Sequence, residues 1–130
     1  MDDRSMGSRG SMPASRLWII WANLLVAVGV YAVVGYFVAP DRAANEQALG
    51  VLVPVFAVVA LFEVLAVFVL RPVLAERMGG VAFAIVRWAV AESVAIFGLA
   101  LRFLGAPVST MAMFIAASAL LLVWWRPSGE

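Results

Sequence analysis

Three ionisable side chains, Glu63, Arg87 and Glu92, stand inside otherwise apolar stretches, with Asn23 and Tyr31 as polar residues at comparable depth. Ionisable groups so placed are costly, usually face a protein interior, and are where function is first sought. Two kinds of chemistry are open to them. A Glu and an Arg at one level form an ion pair, either a polar pin fixing which helices touch or a gate on an ion path. A carboxyl without a nearby cation favours its neutral form, because burial penalises charge; it then packs through a hydrogen bond or carries a proton.

Counting at about 1.5 Å per residue from the expected cytoplasmic ends puts Asn23, Glu63 and Arg87 in one layer roughly 9–12 Å deep. A Glu63–Arg87 ion pair, with Asn23 hydrogen-bonded into it, is therefore expected. Glu92 lies about 13 residues into its stretch and Tyr31 about 14 into its own, near the midplane. Glu92 is expected to be neutral and to bond Tyr31 or a backbone carbonyl, which makes Glu92 with Tyr31 the candidate proton or ion carrier.

Other chemistries lack their residues. The chain has no Cys and no His, and its nine basic residues are all Arg. Disulfides, thiolate or imidazole metal sites and His-based nucleophiles are excluded. No lysine is present to form a Schiff base, and no glycine-rich phosphate loop appears. No cofactor, metal or catalytic residue is expected. A net charge of +1 supplies no basic patch for nucleic acid.

The polar residues need elements to hold them, and composition says which. Of 130 residues 65% are hydrophobic and 13% charged, against roughly half and a quarter in soluble domains. Spans of about 20 apolar residues cross the hydrocarbon core, and four such stretches fit: about 17–38, 48–70, 79–104 and 108–125. Residues 1–16 read as a disordered polar tail and 127–130 as a short C-terminal tail. The first stretch exceeds a signal-peptide core of 7–15 residues and reads as a retained helix, with a cleaved signal as the alternative. Pro40 and Asp41 end it, and Arg71-Pro72 closes the second before a charged link, 71–78. Gly79-Gly80 opens the third, and Gly105-Ala106-Pro107 turns into the fourth.

Arginine placement sets the orientation. Arg4, Arg9, Arg16, Arg71, Arg77 and Arg126 fall on one side; Arg42 and Arg102 fall on the other. That bias puts both termini in the cytoplasm. Trp18, Trp21, Trp124 and Trp125 sit where an interfacial aromatic belt would lie. Asn23, Ala27, Tyr31 and Gly35 recur every fourth position on the first stretch. A broad stripe on the third holds Arg87, Ala91, Ala95, Gly98 and Arg102, which allows close helix approach. The expected fold is an all-α, integral-membrane, four-helix, up-down transmembrane bundle.

The segment Glu92-Ser-Val-Ala-Ile-Phe-Gly-Leu99 also echoes Glu63-Val-Leu-Ala-Val-Phe-Val-Leu70. It resembles the carboxyl-bearing helix of the c-type proteolipid of the ATP synthase ring, where a Glu is followed six residues later by Gly. The resemblance is confined to the third stretch and the arginine-bearing loop before it. It implies that Glu92 is a reversible proton or sodium site.

Short loops leave no room for an extramembrane catalytic domain. The expectation is a non-enzymatic protein of the bacterial inner (cytoplasmic) membrane acting by helix packing. Its partners would be the lipid bilayer, other membrane subunits or a second copy. The alternative is a proton- or cation-translocating element with Glu92 as carrier.

Overall fold

The structure, a computed structural model, describes residues 14–39 and 46–127. The tails over 1–13 and 128–130 and the loop over 40–45, with the expectations placed on them, lie outside the described residues. Four α-helices make up nearly all of the rest: α1 (Ala14–Val33), continued by a π-turn (Val34–Val38), α2 (Glu46–Met78), α3 (Gly80–Phe103) and α4 (Val108–Trp124). The all-helical expectation holds. The stretches Ser15–Val38, Glu46–Met78 and Gly80–Phe103 are long and apolar enough to cross a membrane, whereas Val108–Trp124 is equally apolar but shorter.

Two boundaries differ from expectation. Ala14, Ser15 and Arg16 are the first turn of α1, not tail. More consequentially, 71–78 is not a link but the last two turns of α2, which runs 33 residues with Pro54 and Pro72 inside it. A proline removes one backbone hydrogen bond and strains the turn before it. The residues after Pro72, Val-Leu-Ala-Glu-Arg-Met, include strong helix formers, and Leu74 and Ala75 pack on the core. Propensity and packing together outweigh the proline. Gly79 then makes the whole α2–α3 connection at φ +84° and ψ 162°, a region essentially closed to residues with a Cβ.

α3 is the central helix. It packs most extensively on α4, then on α2, then on α1, and α1 also packs on α4. Its contacts fix the pairings: Ala91 meets Ser118 and Trp88 meets Trp125 on α4 and its end, while Ser93 meets Glu63 and Phe97 meets Phe56 on α2. In both pairs the numbers rise on one helix as they fall on the other, so α2 and α4 run antiparallel to α3. α2 comes close to no helix but α3; toward α4 it reaches by side chains, as where the Phe68 ring lies 5.6 Å from Trp125. α1, α3 and α4 therefore all pack on one another, with α2 laid along the free flank of α3 and adding Leu49, Ala60 and Val67 to the core.

Indole donors tie down the end of α4. The last carbonyls of a helix have no partner within it. Trp21 Nε1 donates to the Leu122 carbonyl at 2.7 Å, and Trp88 Nε1 to that of Trp125 at 2.7 Å. Of the four tryptophans read as belt residues, Trp18 and Trp124 are exposed, but Trp125 is buried and Trp21 half-buried. Trp88, which no pattern singled out, is fully buried.

Candidate functional site

The polar groups inside the helices do not fall into the layer that counting predicted. Because α2 continues to Met78, Glu63 lies fifteen residues from its end, whereas Arg87 lies seven from the start of α3. Glu63 is thus level with Ser93, about 9 Å beyond Arg87 along α3. Ser93 Oγ donates to Glu63 Oε2 at 2.8 Å and lies 2.6 Å from the Val90 carbonyl. The expected Glu63–Arg87 ion pair does not form: Arg87 Nε is buried with no hydrogen-bond partner. The guanidinium instead lies over the Phe83 ring, its carbon 5.2 Å from the centroid, in reach of a cation–π attraction.

Asn23 does not join the layer either. It is exposed on α1, and among the described residues no hydrogen bond joins it to another helix. Residues four apart on a helix advance 400°, so a stripe at that spacing turns about 40° per step. Three steps carry Gly35 about 120° from Asn23. Gly35 is buried against Met111 and Leu99, which leaves Asn23 on the outer face.

Tyr31 and Glu92 do meet. Tyr31 donates its hydroxyl proton to Glu92 Oε1 at 2.8 Å. Both residues are half-buried, as is Glu63, so neither carboxyl is sealed inside the chain. Glu92 and Ser93 are consecutive on α3 and point about 100° apart, one toward α1 and the other toward α2. Across the same level Ser118, fully buried, donates to the Ala91 carbonyl at 2.6 Å. The layer that exists is therefore Tyr31–Glu92 on one flank of α3, Ser93–Glu63 on the other and Ser118 behind. A groove of about 440 Å³ between α2 and α3 reaches Glu63 and Ser93 and is otherwise lined by apolar side chains.

A second polar cluster closes the opposite end. Arg102 donates from Nε to the Gly35 carbonyl at 3.0 Å and from Nη1 to that of Ala106 at 3.1 Å. Gly35 sits in the π-turn, where carbonyls leave the regular ladder, and the arginine fork takes one of them. Pattern reading placed Arg102 on the packing stripe of α3 but did not find this role; nothing in the local sequence marks Gly35 as an acceptor. Ser93 was also missed, since a serine beside a glutamate carries no signal until the register of α2 is known.

Chemically, the layer offers two carboxyls, a phenol and two hydroxyls, suited to holding or passing protons. Among the described residues no group of three or more acidic side chains is placed to hold a metal ion. No family model, no curated protein and no solved structure matches the chain.

Proposed function

We propose that this chain is a four-span integral membrane protein, with both termini cytoplasmic, that acts without catalysis as a helix-packing subunit of a larger membrane assembly. The asymmetry of arginines supports the orientation, and a bacterial inner membrane is the compartment that the positive-inside pattern and compact loops fit best. The observation that carries the subunit reading is Asn23. It lies exposed on α1, flanked on the same face by exposed Ile19, Val26 and Val30. A carboxamide has two donors and an acceptor, and hydrocarbon offers it nothing. A polar group on a neighbouring helix satisfies it, a contact worth about 0.6–2 kcal/mol.

The test uses the absence of cysteine. Protein with the single change Val26→Cys, extracted with its native lipid in polymer-bounded discs, is expected to cross-link to a neighbour and to run as a particle larger than the monomer. Asn23→Ala should abolish both. A monomer in native discs overturns the reading.

The hydrogen bond between Tyr31 and Glu92 favours a second reading, proton or cation translocation with Glu92 as carrier. Its test is proton flux in proteoliposomes: Glu92→Gln should remove the flux, and flux equal to that of the unaltered protein rules the carrier out.

A further inference from the structure

Arg87 is left in an unusual position by the failure of its expected pairing. Its Nε–H is buried and unpartnered, and the antiparallel register that sets Glu63 against Ser93 brings Arg71 of α2 to nearly the same level. Two cations at one level repel, and a buried guanidinium nitrogen without a partner is costly. The arrangement calls for an anion from outside the chain.

The helix geometry says what kind. Between α2 and α4, which do not pack closely, runs an apolar cleft of about 310 Å³ whose walls include Ala60, Val64, Val94, Phe114 and Leu121. Arg71 lies seven residues after Val64, and Arg87 seven before Val94. Seven residues are two turns with about 20° of drift, so each arginine continues the face of its helix that lines the cleft. Because α2 and α3 are antiparallel, both are displaced toward the same end, that of the Gly79 turn. A cationic pair thus lies about two turns beyond a hydrocarbon-lined cleft, past the Phe68–Trp125 ring contact, a spacing that suits a molecule with an anionic head and a long apolar tail. The arginine-rich end is also the one expected to face the anionic cytoplasmic leaflet.

We infer that Arg71 and Arg87 hold the phosphate of an anionic phospholipid whose acyl chain lies in the α2–α4 cleft. Arg87 supplies the unpaired Nε–H and its planar fork suits a phosphate. Phe83 beneath the guanidinium keeps the fork in place.

Native mass spectrometry of the full chain, with phosphatidylglycerol and phosphatidylcholine added together at equal concentration, tests this. One phosphatidylglycerol is expected to remain bound in preference to phosphatidylcholine. Each arginine near an anionic headgroup contributes about fivefold in affinity, so Arg71→Gln should reduce the preference about fivefold and the Arg71→Gln, Arg87→Gln double change should abolish it. Arg126→Gln, exposed beyond α4, should leave it unchanged. Arg71 is exposed, so its single change keeps the test intact if the double variant does not fold. Equal retention of the two lipids by the unaltered protein overturns the inference. So does a preference that survives Arg71→Gln undiminished, or displacement of the lipid by inorganic phosphate alone.

Discussion

A serine hydroxyl has one hydrogen, and Ser93 has two acceptors within reach of it. That one hydrogen serves Glu63 Oε2 at 2.8 Å, with the Val90 carbonyl 2.6 Å away in the preceding turn, a placement common for serine in a helix. The Ser93–Glu63 bond is thus a polar tie between α3 and α2. Glu63→Gln keeps an acceptor for the Ser93 hydroxyl and is expected to lower the thermal midpoint in detergent less than Glu63→Ala does; equal losses contradict the bond. On the other flank, Tyr31→Phe and Glu92→Gln should each destabilise, and a double-mutant cycle should return a coupling of about 0.6–2 kcal/mol; additive effects contradict the bond.

Between helices, glycine matters where backbones touch. A Cβ built at Gly98 on α3 comes 2.6 Å from the Phe114 Cβ and 3.1 Å from the Met111 carbonyl oxygen on α4, atoms that cannot turn away. At Gly29 on α1 the same atom meets nothing within 4 Å. Gly98→Ala should therefore force α3 and α4 apart and cost about 1–3 kcal/mol, read as a lower thermal midpoint in detergent. Gly29→Ala should be neutral or raise it, since alanine is the better helix former by about 0.5–1 kcal/mol. Equal effects would mean that the α3–α4 contact does not limit stability. This stripe was legible in the sequence: Ala91, Ala95 and Gly98 are buried together as their spacing predicts. The register of α2 was not. Arg71-Pro72 reads locally as a stop, and the helix-forming residues just beyond it, with the packing of Leu74 and Ala75, keep the helix going. That misplaced end shifted Glu63 by eight residues in depth, and the Arg87 pairing went with it. The Tyr31–Glu92 contact was recoverable because the expected starts of α1 and α3 lay within three residues and one residue of the observed ones, too little to move either group off the level.

For the molecule as a whole, the length of α2 bears on orientation. Thirty-three residues span about 50 Å, well beyond a hydrocarbon core near 30 Å, so in the proposed membrane arrangement part of the helix stands outside the core. The part equipped to do so is its C-terminal end, where Arg71, Glu76 and Arg77 are all exposed, while everything between Ala48 and Leu70 is apolar apart from Glu63. Arg102, at the far end of α3, is tied to two carbonyls and so contributes to packing as well as to charge balance. The arginines free to meet an anionic leaflet are thus concentrated at the Gly79 end. In the cysteine-free chain, a single Glu76→Cys is expected to react with a membrane-impermeant maleimide applied from the cytoplasmic side and not from the other. Val69→Cys, about two turns earlier, should resist the reagent from both sides until the membrane is dissolved. Reaction of the Glu76→Cys protein from the opposite side inverts the topology. Equal reaction of the two variants means that the last turns of α2 do not leave the bilayer where their charges begin.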